Sequence, residues 1–239
     1  MSKIKTTASA ALLALGMSLT GTGANAALIL IAPENFSGTG LGSVNTILTI
    51  NSPANSTVES GSVSFNGTTD VITGSTALTG ASQTQTRTIG SLGLTDASTL
   101  RVVFNAVEPG NASSITLTNL VLSIFSTAGT TLFTSGAFTP TTFLDTFAGT
   151  GNSGFVFRLD AADTLAAQAA GFGLGFANNR IGLAAAASSA TGGNETFFVA
   201  ASASPVVTVP EPATLGLFSA ALLGLWGARR RAGAKPNAA

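Results

Sequence analysis

Apolar and polar residues alternate along many short stretches of the central region, and this period of two constrains the fold more than any other feature. The longest example covers residues 114–125, and a second covers residues 44–50. Such alternation places apolar side chains on one face of a β-strand and polar side chains on the other. Gly, Asn, Asp and Pro residues separate the stretches, as is typical of turns. The pattern therefore predicts an all-β fold.

About ten such stretches fit into the roughly 180 residues that follow Ala26, which favours a single β-sandwich or jelly-roll-like domain. Asn66-Gly67 predicts a two-residue hairpin, and the Glu-Pro-Gly-Asn segment at residues 108–111 predicts a turn. The predicted strands are residues 44–50, 61–65, 70–78, 83–89, 100–107, 114–125, 130–133, 154–159, 180–184 and 195–200.

One segment departs from the alternation and predicts a single short helix. Residues 160–170 are rich in alanine, the best helix former, and Gly171 is the expected C-terminal stop. Asp160 is suited to cap the helix N-terminus, and Asp163 lies near the positive end of the helix dipole. Fourteen of the fifteen phenylalanines precede the C-terminal tail, so we expect a phenylalanine-rich core that needs neither disulfide nor metal.

Missing residue types exclude most familiar enzyme chemistry. The 239-residue chain has no Cys and no His, which excludes disulfides, thiolate nucleophiles, Ser-His-Asp hydrolysis and the common zinc sites. Residues 27–209 carry four Arg, no Lys and nine acids, for a formal charge of −5. Phosphate contacts need clustered cations, so nucleic acid is an unfavourable partner. We predict no catalytic residue, no metal and no cofactor.

A glycine-rich segment and four acids are the remaining candidates for a site. Residues 149–154 match the dinucleotide fingerprint G-x-G-x-x-G, but that motif needs a helix after it and a strand-like Phe-Val-Phe follows, so a turn is favoured. The four acids are Asp145, Asp160, Asp163 and Glu195. They could form a calcium site or the carboxylate pair of a hydrolase if the fold gathered them in one cleft. Helix capping explains the two acids near the predicted helix better.

The first 26 residues have the three parts of a secretory signal peptide. Two lysines lie within the first five residues, an uncharged and mostly apolar stretch covers residues 8–19, and Ala24-Asn25-Ala26 is a small-x-small cleavage site. We predict that signal peptidase cleaves between Ala26 and Ala27.

The C-terminal region also has three parts in a fixed order. The motif Val209-Pro210-Glu211-Pro212-Ala213-Thr214 comes first, an uncharged run at residues 213–228 follows, and Arg229, Arg230 and Arg231 end it. As a helix the run would be about 24 Å long, against a hydrocarbon core of about 30 Å. We predict a short transmembrane helix whose cationic end stays in the cytoplasm.

This tail closely resembles the PEP-CTERM sorting signal of Gram-negative bacteria, in its motif, its helix and its basic stop. The resemblance implies that a membrane protease-transpeptidase, the exosortase, recognises the tail and removes it near the motif. It also implies export and association with the cell surface or with the exopolysaccharide matrix of a biofilm. It covers the tail alone, so it implies nothing about the role of the central region.

The predicted organisation is a signal peptide at residues 1–26, a β-sandwich ectodomain at 27–204 and a tether with the sorting signal at 205–239. After transient anchoring in the inner membrane, the protein is expected at the cell surface or in the extracellular matrix. Its charge-poor, Thr/Ser/Gly-rich composition favours a non-enzymatic structural role. The alternatives are a polysaccharide- or ligand-binding adhesion module and a carboxylate-based hydrolase, although the ectodomain lacks the Trp and Tyr on which sugar rings usually stack.

Overall fold

The computed structural model describes residues 27–34, 36, 44–53, 56–80, 82–106, 114–144 and 154–202. The predicted signal peptide, the predicted turn at 108–111, Asp145 and the whole sorting signal lie outside these residues. The described part contains one α-helix, α1 (Ala161–Gly171), and 3₁₀ turns at Gly90–Leu92, Ala97–Thr99 and Phe176–Asn178. Its twelve strands are β1 (Leu28–Ile31), β2 (Thr46–Asn51), β3 (Val58–Phe65), β4 (Asp70–Thr73), β5 (Arg87–Thr88), β6 (Leu100–Asn105), β7 (Ile115–Phe125), β8 (Thr131–Thr134), β9 (Thr141–Phe143), β10 (Phe155–Leu159), β11 (Arg180–Ser188) and β12 (Asn194–Ala201).

The strands form two antiparallel sheets. One sheet has five strands in the order β1-β10-β6-β12-β2. The other has seven strands: its main order is β4-β3-β11-β7-β8, β5 pairs with β11, and β9 pairs with β7. Consecutive strands often lie in different sheets, so the chain crosses repeatedly between the two layers. The predicted all-β class with one short helix is confirmed.

Phenylalanine rings fill the space between the sheets. Phe104 on β6 stacks on Phe197 of β12, with ring centroids 4.8 Å apart. Phe104 also meets Phe143 of β9 edge-on at 5.8 Å, and this contact joins the five-stranded sheet to the seven-stranded one. Phe104, Phe157 and Phe197 are fully buried. Each ring removes a large apolar area from water, so these contacts supply much of the stabilisation that a chain without disulfides needs.

The longest strand, β7, changes the parity of its alternation partway along. Ile115 and Leu117 are buried, whereas the buried positions beyond them are Leu120, Leu122 and Ile124. A β-bulge opposite Ala186 and Ala187 of β11 absorbs the extra residue. The bulge keeps both halves of the strand facing the same core, because one inserted residue reverses the side on which every following residue points.

Several predicted strand boundaries are wrong. The strand predicted at 70–78 ends at Thr73, because Gly74 takes a left-handed φ of +97° and Thr76 turns to hydrogen-bond the backbone of Ser60. The strand predicted at 83–89 is reduced to the two residues of β5. Strands β1 and β9 were not predicted, since β1 is four consecutive apolar residues without alternation and β9 has only three residues.

The hairpin between β3 and β4 has a four-residue loop and not the predicted two-residue loop. Phe65 pairs with Asp70, so Asn66 to Thr69 form the connection. The side-chain oxygen of Asn66 accepts hydrogen bonds from the amides of Thr68 and Thr69 at 2.9 and 2.8 Å. This Asx arrangement stabilises the longer loop.

The predicted helix is confirmed. Asp160 is the N-cap of α1, and its Oδ1 accepts a hydrogen bond from the Asp163 amide at 2.8 Å. Gly171 is the last helical residue, and Phe172 follows as the C-cap. A Cβ at Gly171 would lie 2.6 Å from Cδ1 of Ile124 on β7, so close packing against the seven-stranded sheet requires glycine there.

Candidate functional site

Asp160 and Asp163 lie at one end of the sandwich, which we call the helix end and define by Ala27, Asp160, Asp163 and α1. Besides capping the helix through Oδ1, Asp160 accepts a hydrogen bond at Oδ2 from the backbone nitrogen of Ala27 at 3.3 Å. The Asp160 amide donates to the Ala27 carbonyl at 3.1 Å. A single carboxylate therefore joins the start of the first strand to the start of the helix.

Asp163 is buried on the first turn of α1. Its Oδ2 accepts a hydrogen bond from the Gly136 amide at 3.0 Å, which connects the helix to the segment after β8. Burial raises the pKa of the Asp163 carboxyl above its ordinary value, the Gly136 amide opposes that rise, and the charge of Asp160 adds to it. The capping interpretation is therefore confirmed for Asp160, whereas the side chain of Asp163 makes a tertiary hydrogen bond that this interpretation did not predict.

Glu195 lies at the opposite end of the sandwich. It is the second residue of β12 and pairs with Ile50 of β2, whereas the last residue of β12, Ala201, pairs with Leu100 beside the 3₁₀ turn that contacts α1. Six residues of strand separate these two ends, about 20 Å at the usual rise. The structure therefore does not bring Glu195 together with Asp160 and Asp163. Within the described ranges no group of three or more acids is placed to hold a metal ion.

A second buried glutamate, Glu59, escaped the sequence prediction. It lies on β3 with 1% of its surface exposed, and Glu195 is fully buried. Ile50 connects the two, since it pairs with Glu195 and its Cγ2 would lie 2.8 Å from a Cβ at Gly61, two residues along β3 from Glu59. We call this region the glutamate end and define it by Ile50, Glu59, Gly61 and Glu195. Both glutamates are buried in the core. A polymeric substrate would have to bind at a solvent-exposed surface, which these two side chains do not reach.

Sequence alternation contains the signal that would have found Glu59. Extending the strand predicted at 61–65 by three residues places Glu59 on the same face as Gly61 and Val63, and that face is buried. The predicted strand began at Gly61, so its alternation did not include the glutamate. The glycine-rich segment at 149–154 lies outside the described residues except for Gly154, and β10 follows it directly, not the helix that a dinucleotide site needs.

The outer face of the seven-stranded sheet carries hydroxyl groups in cross-strand pairs, and we call it the hydroxyl face. The paired oxygens are 2.6, 2.8 and 3.2 Å apart. Ala184 and Ala186 of β11 lie between the outer strands on this face. A charged pair, Arg180 with Asp70 at 3.7 Å, lies near one end of the sheet. The three pairs are Ser62 with Thr73, Thr116 with Thr142, and Ser123 with Thr134.

Residues 208–231 match the family model for the PEP-CTERM protein-sorting motif. This range contains the motif at 209–214, the apolar run at 213–228 and the arginines at 229–231. The match indicates a secreted protein that an exosortase processes, as the sequence resemblance predicted. No match was found among curated proteins or among solved structures. Among the described residues, no helix combines the length and the apolar character that crossing a membrane requires.

Proposed function

We propose that this protein is exported, anchored transiently in the inner membrane by residues 213–228, and released by an exosortase-type protease to the cell surface or the exopolysaccharide matrix. Its β-sandwich then has a non-enzymatic structural role there. The observation that carries the proposal is the match at residues 208–231, because motif, apolar run and basic stop occur there together. Signal peptidase, acting after Ala26, is the partner at the other end of the chain.

The chemistry of the tail explains how the sorting signal works. Each proline in Pro210-Glu211-Pro212 fixes its own φ and disfavours helix in the residue before it, so we expect the motif to present an extended backbone to a protease. The apolar run sets the depth of the motif in the membrane, and the three arginines resist transfer across it. The motif is therefore expected at a constant distance from the membrane surface, where the protease can bind it.

Two features of the sandwich support a structural role over catalysis. Its described acids lie in helix caps, ion pairs or the core, and the two fully buried glutamates lie away from solvent. The hydroxyl face presents paired serine and threonine hydroxyls with alanines between them, and the charges of Arg180 and Asp70 near one end of the sheet form an ion pair. Such a surface forms hydrogen bonds with water and neutral polymers without long-range electrostatic repulsion.

The sorting proposal predicts different fates for two tail variants expressed in a Gram-negative host with an exosortase. The wild-type chain recovered from the cell surface should lack the C-terminal arginines, as measured by intact mass. Changing Pro210, Glu211 and Pro212 to Ala should leave an uncut chain in the inner membrane. Replacing Arg229, Arg230 and Arg231 by Ala should release uncut chain, since nothing stops the short helix from passing through.

A matched proline variant outside the motif controls for the general effect of removing proline. Pro205→Ala should be cut as efficiently as the wild type. Wild-type protein at the cell surface that still ended at Ala239 would refute exosortase processing. It would leave a permanently anchored protein in its place.

The hydroxyl face favours one alternative, a polysaccharide-binding adhesion module. Neutral glycans are recognised through hydroxyl hydrogen bonds, and the three hydroxyl pairs lie on one sheet face. Co-sedimentation with microcrystalline cellulose tests this alternative. Binding that Ser123→Glu abolishes, and that the control Thr95→Glu in an exposed loop leaves unchanged, would favour adhesion over a purely structural role.

A further inference from the structure

The predicted first residue of the mature chain lies directly against a carboxylate. Ala27 immediately precedes β1, and its nitrogen is 3.3 Å from Oδ2 of Asp160. The register of β1 on β10 pairs Leu28 with Leu159. Ala27 therefore stands opposite Asp160, and the Asp160 amide donates to its carbonyl at 3.1 Å. The position of Ala27 is closely fixed, because the next residue, Leu28, is already paired with Leu159 in the sheet.

Signal cleavage changes the chemistry of this nitrogen. Water adds across the peptide bond between Ala26 and Ala27, which leaves a carboxylate on Ala26 and an amine on Ala27. The amine takes up a proton, since an α-amino group has an ordinary pKa of about 7.7–8.0. A neutral amide with one N–H becomes an ammonium group with three, at a point 3.3 Å from a carboxylate oxygen in the unprocessed chain.

Two carboxylates near this point favour a cation, and their charge exceeds the partial positive charge of about half an elementary charge at the start of α1. Asp160 makes no ion pair with any cationic side chain of the described residues, whose recorded pairs are Arg101 with Glu34 and Arg180 with Asp70. Asp163 adds a second carboxylate on the same helical turn, hydrogen-bonded to Gly136. Arg158, two residues before Asp160 on β10, is exposed. Among the described residues no cationic side chain pairs with these two acids, and signal cleavage would add a positive charge beside Asp160.

We propose that the helix end is a binding site for the chain's own processed N-terminus, in which the α-ammonium of Ala27 forms an ion pair with Asp160. The proposal rests on the proposed export and on cleavage after Ala26. The consequence is a stabilising contact that forms only after signal cleavage, and we call this contact the lock. Removal of the signal peptide adds an ion pair that ties β1 to the cap of α1, so the exported protein is more stable than its precursor.

Selective amine acylation of the exported full-length chain tests the pair. In a host without an exosortase the chain keeps its C-terminal tail after signal cleavage, and it then contains only two amines: the α-amine of Ala27 and the side chain of Lys235, because the other two lysines lie in the signal peptide. Mass spectrometry of the N-terminal peptide first establishes that the chain starts at Ala27. A limiting dose of acetyl N-hydroxysuccinimide ester at neutral pH then measures the reactivity of the α-amine.

In the folded wild-type protein the α-amine should react about tenfold more slowly than in urea, since an ion pair keeps the amine protonated. Asp160→Asn should restore most of the reactivity. Asparagine is as good an N-cap as aspartate, so this variant keeps α1 while it removes the charge. The matched control is Asp96→Asn, which alters the cap of the 3₁₀ turn Ala97–Thr99 and should leave the α-amine protected.

A second measurement separates charge pairing from simple burial of the amine. Acetylating the α-amine in urea and refolding the protein should lower the melting temperature of the wild type but not that of Asp160→Asn. Equal acylation rates in wild type and Asp160→Asn, or equal effects of acetylation on both melting temperatures, would overturn the ion pair while leaving export intact. A mature chain that starts elsewhere than Ala27 would overturn the lock, and the mass of the C-terminus would report separately on sorting.

Discussion

The two ends of the sandwich both contain acidic residues, but they use them differently. At the helix end, Asp160 and Asp163 accept hydrogen bonds from backbone amides of Asp163, Ala27 and Gly136. At the glutamate end, Glu59 and Glu195 extend into the core between the sheets. The first arrangement is local and follows from the start of a helix. The second depends on which strands face each other across the core. Acidic residues therefore organise the backbone at one end and are buried between the sheets at the other.

The largest expected effect comes from breaking the apolar centre of the glutamate end. Ile50 is fully buried and lies between Gly61 and Glu195. Ile50→Ala should lower the free energy of unfolding by about 2–5 kcal/mol, because the lost side chain leaves a cavity between the sheets. Urea unfolding followed by far-UV circular dichroism measures it.

An apolar residue at the helix end is the control for Ile50. Leu165 lies on α1 with 73% of its surface exposed. Leu165→Ala should change the free energy of unfolding by less than about 0.5 kcal/mol, since both residues favour helix and neither is buried. Similar losses in the free energy of unfolding for Ile50→Ala and Leu165→Ala would show that the buried apolar centre of the glutamate end contributes no more to stability than the exposed surface of the helix end.

A smaller effect is expected from adding one methyl group at each end. A Cβ at Gly61 would lie 2.8 Å from both Cγ2 of Ile50 and Cβ of Ala77, whereas a Cβ at Gly173, just after α1, meets nothing within 4 Å. Gly61→Ala should cost about 1–3 kcal/mol by overpacking, and Gly173→Ala should be neutral or slightly stabilising. Thermal unfolding of both variants decides; a tolerated Gly61→Ala would mean that the sheets have room to separate there.

The next effect concerns the helix end itself. Asp160→Ala should lower the free energy of unfolding by about 1–2 kcal/mol, because it removes the cap of α1 and the contact to Ala27 together. Asp96→Ala, which removes the cap of a 3₁₀ turn, should cost less, since that turn has only three residues. If the two losses measured by urea unfolding were equal, the connection between Asp160 and the first strand would contribute nothing.

Local sequence patterns predicted the helix end well. Alanines after Asp160 identified α1 and its cap, since both depend on residues within one helical turn. Alternation likewise identified most strands, because each strand reports its own buried face. The β7 bulge was not predicted, although the change of parity between Leu117 and Leu120 is its signal within the strand itself.

Features that depend on distant residues were not predictable from the same patterns. Strand β1 is four consecutive apolar residues, and only its pairing with β10, more than a hundred residues later, makes it a strand. Thr76 turns away from the predicted extension of β4 because Ser60 and Asn51 offer backbone partners there. The sorting signal was predictable, since motif, apolar run and basic stop are contiguous in the chain.

The smallest expected effects are on the pH dependence of the free energy of unfolding, and they compare Asp163 at the helix end with the more exposed Asp96. Burial raises the pKa of Asp163 above its ordinary 3.8, while the Ser98 hydroxyl, with the Ser98 and Thr99 amides, lowers the pKa of Asp96 despite slight burial. A raised carboxyl pKa means that the folded state binds the proton more tightly. Asp163 therefore weakens folding above its folded pKa, and this penalty disappears as the pH falls to 3.8. Asp96 contributes stability above 3.8 that is lost as the pH falls through its lower folded pKa.

Two isosteric variants measured across pH separate these opposite contributions. Asp163→Asn should raise the free energy of unfolding at pH 7 by less than about 1 kcal/mol, and should lose this advantage near the ordinary pKa of an aspartate. Asp96→Asn should lower it slightly at pH 7 and converge with the wild type in acid. In the Asp163→Asn variant the new side chain still offers an amide oxygen to the Gly136 N–H, so the comparison isolates the charge. Differences of the same sign for both variants at pH 7 would show that burial, which distinguishes Asp163 from Asp96, does not set the sign of each aspartate's contribution to stability.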